Sequence, residues 1–65
     1  MKLINENGYE VKIGDSVVDF RGEVVQVIDF TAPRHSSSTG RVYVKREHGT
    51  KREYFPSVIG CTIVP

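Results

Sequence analysis

The sequence is short of the residues that build a large core or an enclosed site. It contains no tryptophan, three tyrosines and three phenylalanines among 65 residues. A domain of this size hides only about 60% of the surface that its unfolded chain exposes, so most large apolar side chains are needed for the core. Too few remain to line a deep ligand cavity. We therefore expect a single domain spanning residues 1–65, with no small-molecule substrate.

Cysteine and long apolar runs are also scarce. Cys61 is the single cysteine, which excludes an intramolecular disulfide, the usual means by which small secreted domains are stabilised. No stretch approaches the roughly 20 apolar residues that a membrane-spanning helix needs. These features predict a cytoplasmic protein that does not contact a membrane. We interpret Cys61, which lies in an apolar segment, as a small core residue.

Metal-ligating and catalytic patterns are missing as well. The candidate ligands are His35, His48 and Cys61, and they show neither Cys-x-x-Cys nor His-x-x-x-His spacing. A structural zinc site needs about four ligands. Both histidines fall in predicted loops, where nothing would hold the ring beside a nucleophile. The sequence therefore predicts no cofactor, no metal and no enzymatic activity.

Turn-forming residues recur at short intervals and separate segments rich in Val, Ile, Tyr, Phe and Thr. This spacing predicts an all-β fold. Tight hairpin turns are predicted at Asn7-Gly8 and at His48-Gly49, because glycine adopts positive φ angles without steric cost. The segment 56–60 predicts one turn of 3₁₀ helix, since Pro56 cannot sit in a central strand. Strands are predicted at 2–5, 9–13, 16–19, 23–30, 41–46, 51–55 and 61–64.

This order of elements resembles a known superfold. The stretch Gly14-Asp15-Ser16-Val17, followed by Arg21-Gly22-Glu23 and Val27, is similar to the start of KOW-type and Tudor-type SH3-like barrels. The succession of a long strand, a variable loop, a tight hairpin, a 3₁₀ turn and a short closing strand extends the resemblance over most of the chain. It implies a small SH3-like barrel of five to six short antiparallel strands with a single 3₁₀ turn near 56–60, and a role in binding.

Charge is unevenly distributed along the chain, although the net charge is only +1. Residues 1–32 contain three basic and six acidic residues, whereas residues 33–65 contain six basic and two acidic ones. Asymmetry of this kind indicates an anionic partner.

The predicted hairpin at 41–55 brings basic and aromatic residues together. With a two-residue turn, Tyr43 faces Tyr54 and Lys45 faces Arg52, whereas a shift of one residue separates them. Like charges in opposition are destabilising, and a bound polyanion relieves them while the rings stack on unpaired bases. The alternative is that these side chains are exposed to solvent and bind no ligand. The predicted nucleic-acid-binding residues are Arg34, Arg41, Tyr43, Lys45, Arg52 and Tyr54.

Two functions stay open at this point. The first is a nucleic-acid-binding module that uses this hairpin, with Arg34 supplied by the loop 32–40. The second is a protein-interaction or assembly module, such as an accessory protein of a bacterium or phage, that uses a strand edge or the serine-rich loop. The loop is also consistent with a plain solvated connector. We expect a monomer or a weak homo-oligomer.

Overall fold

The computed structural model describes residues 1–32, 39–47 and 49–64. Within these residues the chain forms seven strands and one 3₁₀ turn, Pro56–Ile59. The strands are β1 (Lys2–Asn5), β2 (Glu10–Val11), β3 (Ser16–Val18), β4 (Val24–Thr31), β5 (Arg41–Arg46), β6 (Lys51–Tyr54) and β7 (Cys61–Val64). The predicted all-β class and 3₁₀ turn are confirmed. No helix in the described ranges is long and apolar enough to cross a membrane.

The strands pair in two antiparallel sheets. One has the order β2-β1-β7 and the other has the order β3-β4-β5-β6. No strand of one sheet is hydrogen-bonded to a strand of the other among the described residues. The sheets are therefore not closed, and the predicted barrel is not confirmed. There are seven strands rather than five or six because β1 pairs with both β2 and β7 and is a full member of its sheet.

The core between the sheets is aliphatic. Leu3, Val27, Val42 and Val44 have no exposed surface, and Val25 is 1% exposed. In β5 these buried residues alternate with more exposed ones, as the pleat of a strand with one buried face requires. The remaining core residues are Val11, Ile59, Cys61 and Ile63. The prediction that Cys61 is a core residue is confirmed.

Aromatic side chains lie at the margin of this core or outside it. Phe30 and Tyr54 are partly buried against it, while Phe20 and Phe55 are 65% and 52% exposed. Branched aliphatic side chains on paired strands already fill the space between the sheets. The expectation that most large apolar residues are buried is therefore wrong for seven of them: Met1, Tyr9, Ile13, Val18, Phe20, Val24 and Phe55.

The turn between β1 and β2 is built on Asn5. Its Oδ1 accepts hydrogen bonds from the backbone N–H groups of Asn7 and Tyr9, both at 3.0 Å. Gly8 donates its N–H to the Asn5 carbonyl at 3.0 Å and has a φ of +84°, a value that only glycine adopts without strain. The Asn5 N–H closes the loop by donating to the Tyr9 carbonyl. Three residues lie between them, and the tight hairpin turn predicted at Asn7-Gly8 is confirmed.

The turn between β3 and β4 repeats this arrangement with an aspartate. Asp19 Oδ1 accepts from the N–H groups of Arg21 at 2.9 Å and Glu23 at 3.0 Å. Gly22, with a φ of +79°, donates to the Asp19 carbonyl at 3.0 Å. A three-residue loop with glycine in its last position is a common hairpin connection. Asp19 therefore holds this turn as Asn5 holds the first one.

Candidate functional site

The hairpin β5–β6 has a different register from the one predicted. Tyr43 is opposite Glu53, and Lys45 is opposite Lys51. The hairpin closes through the Arg46 N–H, which donates to the Thr50 carbonyl at 2.8 Å. The turn at His48-Gly49 therefore does not have two residues, and the predicted pairing is wrong by one position.

Gly49 explains the difference. Its N–H donates to the Arg46 carbonyl at 2.9 Å and its φ is +83°, which repeats the role of Gly8 and Gly22 in the two earlier turns. The glycine stands three residues after the closing residue in all three hairpins. This shared spacing is a signal in the sequence from which the register could have been predicted.

The one-residue shift divides the predicted face, because directly opposite residues share one side of a sheet. Arg52 is opposite the buried Val44, and Tyr54 is opposite the buried Val42, so both project toward the inner side. Tyr43 and Lys45, together with Arg41, project to the outer side, which is the face of the four-stranded sheet that looks away from the core. The expectation that the two rings and the two cations share an outward side is wrong. Arg34 and His48 lie outside the described residues.

Lys45 and Lys51 form a cationic pair on this outer face. They are directly opposite each other, and both side chains are exposed. Neither has an ion-pair partner within the part of the chain that the structure describes. Gln26 continues the same row on β4, opposite Lys45, and Ser16 extends it to β3. The outer face thus presents a polar row that ends in two uncompensated positive charges.

A shallow groove of about 620 Å³ runs beside this row. Its walls combine the polar row with one apolar residue, Val24, which is 58% exposed. The lining residues are Ser16, Val24, Gln26, Lys45, Arg46 and Glu47. The groove therefore offers hydrogen-bonding groups, an apolar contact and the positive charge of Lys45 to one ligand, and the Glu47 carboxylate also lines it.

Arg41 and Tyr43 are less available than the sequence suggested. Arg41 pairs with Glu53 at 3.2 Å, and its guanidinium lies 4.3 Å from the centroid of the Phe55 ring. Tyr43 is half-buried between Asp29 and Glu53, which flank it on the two neighbouring strands. Glu53 is compensated by Arg41, but Asp29 has no ion pair among the described residues, and its carboxylate disfavours a phosphate backbone beside the ring. The lysine pair is therefore the stronger candidate on this face.

Arg46 is committed to an intramolecular ion pair. Its Nε donates to Glu23 Oε1 at 3.0 Å and its Nη2 lies 2.9 Å from Glu23 Oε2, a bidentate arrangement. The hydrogen bond to Glu23 and the charge of that carboxylate raise the pKa of Arg46. Arg46 fixes the end of β5 against the turn before β4, so it is not a free cation.

A second polar contact joins the two edges of the four-stranded sheet. The Tyr54 hydroxyl of β6 donates to Asp19 Oδ2, next to β3, at 3.4 Å, and the Tyr54 ring packs edge-on against Phe20 at 6.2 Å between centroids. Burial of the Asp19 carboxylate acts to raise its pKa. The hydrogen bonds from Glu23, Arg21 and Tyr54, with the charge of Arg21, outweigh this effect and lower the pKa.

The surroundings of Cys61, Asp19 and Arg46 move their pKa values away from neutrality. Burial, and secondarily the charge of Glu6, raise the pKa of the Cys61 thiol. This shift, like the lowered pKa of Asp19 and the raised pKa of Arg46, moves the group further from neutrality. No three His, Cys, Asp or Glu side chains converge on one point in the described ranges.

A second cleft, of about 430 Å³, separates the free edge of β3 from the other sheet. One wall is β3 itself. The facing wall is made by the turn after β1, by Val11 and by the start of β7 with the preceding Ile59 and Gly60. The sequence offered no signal for this cleft, because its walls come from segments that are distant along the chain.

Comparisons of the chain with models of protein families, with curated proteins and with solved structures find no match. Its function is therefore inferred from the two surfaces described above.

Proposed function

We propose that this protein is a small, non-catalytic binding module whose outer face binds nucleic acid through Lys45 and Lys51. One observation carries the proposal: two lysines are directly opposite each other on adjacent strands and have no ion-pair partner among the described residues. Opposed like charges on a sheet reduce stability. A phosphate held between the two ammonium groups removes this penalty and releases counterions from the nucleic acid.

The surroundings of the lysine pair suit a flexible, single-stranded ligand. Ser16 and Gln26 in the same row supply hydrogen bonds, and Val24 supplies an apolar contact to a base. Tyr43 lies on the same face of β5, two residues before Lys45, and its side chain is half-buried. Phosphate contacts dominate in this arrangement, so we expect weak binding with little sequence preference.

The proposal includes the SH3-like class and a cytoplasmic location. The contact between Tyr54 and Asp19 supports the SH3-like class, because it links β6 to the turn after β3 through side chains. The single cysteine supports a cytoplasmic location, because it is a buried free thiol.

Fluorescence anisotropy with a labelled single strand of about 12 nucleotides tests the proposal. The double variant K45A/K51A is expected to weaken binding at low salt by about tenfold. The matched control K2A/K12A removes the same charge from the acidic part of the chain and is expected to change the affinity by less than about twofold. Equal losses in the two variants, or no binding by the unsubstituted protein, would refute the proposal.

The salt dependence gives an independent measurement on the same samples. Two phosphate contacts predict a slope of log K against log salt concentration of about −1.4 for a single strand. K45A/K51A should bring this slope close to zero, while K2A/K12A should leave it unchanged.

A protein-interaction or assembly role is the second candidate, and a different observation favours it. Val18, Phe20 and Val24 are each more than half exposed and come from β3, β4 and the turn between them. Clustered exposed apolar residues mark interaction sites. V18S, which leaves Val24 in place, should weaken binding to a protein partner and leave the oligonucleotide affinity within about twofold, since it removes no charge.

A further inference from the structure

The free edge of β3 differs from the free edge of β6. β6 carries Lys51, Arg52 and Glu53, and charged side chains on an edge strand hinder pairing with another chain. β3 consists of Ser16, Val17 and Val18 and carries no charge. No strand pairs with its outer side within the described residues. β3 is therefore an edge that is open to strand addition.

The backbone groups that this edge presents follow from its ladder with β4. Asp19 donates its N–H to the Glu23 carbonyl at 2.9 Å, and hydrogen-bonded positions alternate along an antiparallel strand. Val17, two residues earlier and opposite Val25, is the next position bonded to β4. The N–H and C=O groups of Ser16 and Val18 therefore point away from β4 and into the cleft of about 430 Å³.

The opposite wall of this cleft carries a negative charge. Glu6 lines the cleft, and its Oε1 lies 2.5 Å from the position that a Cβ on Gly60 would occupy, so the carboxylate rests over that glycine. Glu6 has no ion-pair partner in the described part of the chain. Its charge contributes to the raised pKa of Cys61 on the same wall. Val11 and Val17 add apolar surface to the cleft.

We propose that the cleft binds an extended, basic peptide segment of a partner protein, which adds to β3 as a further strand. The peptide backbone bonds to the N–H and C=O groups of Ser16 and Val18, and a lysine or arginine of the peptide faces Glu6. Small apolar side chains on either side contact Val11 and Val17. Main-chain bonds of this kind supply affinity, and alternate side chains supply specificity. Ser16 borders both this cleft and the groove beside Lys45, but the peptide proposal uses its backbone groups, the edge of the sheet and the Glu6 carboxylate, so it does not rest on the nucleic-acid proposal.

A titration of the ¹⁵N-labelled protein with the peptide acetyl-Thr-Val-Lys-Val-Thr-amide tests this proposal. The amide signals of Glu6, Ser16, Val18 and Gly60 are expected to shift and to saturate together. The peptide with glutamate in place of lysine is expected to bind about two- to fivefold more weakly. E6Q should remove this difference between the two peptides and leave the fold intact, because Glu6 is exposed.

The backbone bonds need separate controls. Val18→Pro removes an outward N–H from an edge strand that tolerates proline, and it should weaken binding about three- to tenfold. If this variant fails to fold, the same peptide with N-methyl groups at alternate residues tests the bonds without changing the protein. Unaltered binding of the methylated peptide would overturn the proposal, as would shifts confined to Lys45 and Lys51. A dimer that Val18→Pro converts to a monomer would also overturn it, because a second copy would then occupy the edge.

Discussion

Reversing one charge of the lysine pair should stabilise the fold and weaken nucleic-acid binding. In the wild type, Lys45 and Lys51 oppose each other, which costs a few tenths of a kcal/mol, and an opposite-charge pair in the same position gains roughly 0.2–1 kcal/mol. K45E should therefore raise the free energy of unfolding by about 0.5–1.5 kcal/mol. For a domain of this size the melting temperature should rise by about 2–10 °C. Oligonucleotide affinity should fall by about tenfold.

A double-mutant cycle tests whether the register of β5–β6 causes the stabilisation by K45E. K45E and K51E should each stabilise the protein at low salt, and the double variant K45E/K51E should lose the gain because two like charges again oppose each other. Lys45 and Arg52 project to opposite sides of β5–β6, so K45E and R52E should be additive to within about 0.3–0.5 kcal/mol. The coupling between positions 45 and 51 should shrink at high salt.

The opposite pattern would refute the reasoning. Coupling of Lys45 to Arg52 and not to Lys51 would mean that the hairpin has the register of a two-residue turn. If K45E stabilises the protein but leaves the oligonucleotide affinity unchanged, the register is supported and the nucleic-acid proposal is refuted.

Three further predictions concern the fold. Val44→Ala should reduce the free energy of unfolding by about 2–3 kcal/mol in urea denaturation, because it empties a fully buried site, whereas Val24→Ala at a mostly exposed site should change it by less than about 0.5 kcal/mol. Gly22→Ala should lower the free energy of unfolding by about 1–2 kcal/mol in the same assay, because the backbone φ of Gly22 is +79°. The added Cβ would meet no atom within 4 Å, so the cost comes from the backbone alone. An unchanged midpoint would contradict the turn assignment. Folding lowers the pKa of Asp19 from the ordinary value of 3.8, so its contribution to stability is complete above that value and is lost as the pH falls through the folded pKa. Asp19→Asn should therefore make stability less dependent on pH below about pH 4 in melts across that range, and an unaltered pH profile would exclude this role.

The features that the sequence predicted correctly depend on neighbouring residues. The strands follow from alternating or β-branched segments, and the 3₁₀ turn at Pro56–Ile59 follows from a proline at its start and Gly60 at its end, where φ is +68°. The burial of Cys61 follows from the apolar residues around it. Each of these depends on local steric and hydrophobic preferences, which act over a few positions.

The candidate site depends on longer-range geometry. The face on which Tyr54 and Arg52 lie is decided by whether the hairpin turn has two or three residues, and one residue reverses every side chain of the strand. The repeated position of Gly8, Gly22 and Gly49 carries this information locally, although only a comparison of the three turns makes it visible.

The sequence by itself determined the all-β class, the position of the turns and the excess of basic residues in 33–65, because composition and local backbone preference suffice for each. Only the tertiary structure decided which cations are free. Arg46 forms an ion pair with Glu23, which lies 23 residues away in the sequence. The Tyr54 hydroxyl donates to Asp19, which lies 35 residues away. Such contacts require the chain to be folded before the partners meet. Lys45 and Lys51 differ from the other cations without an ion pair among the described residues because the register of β5–β6 places them directly opposite each other.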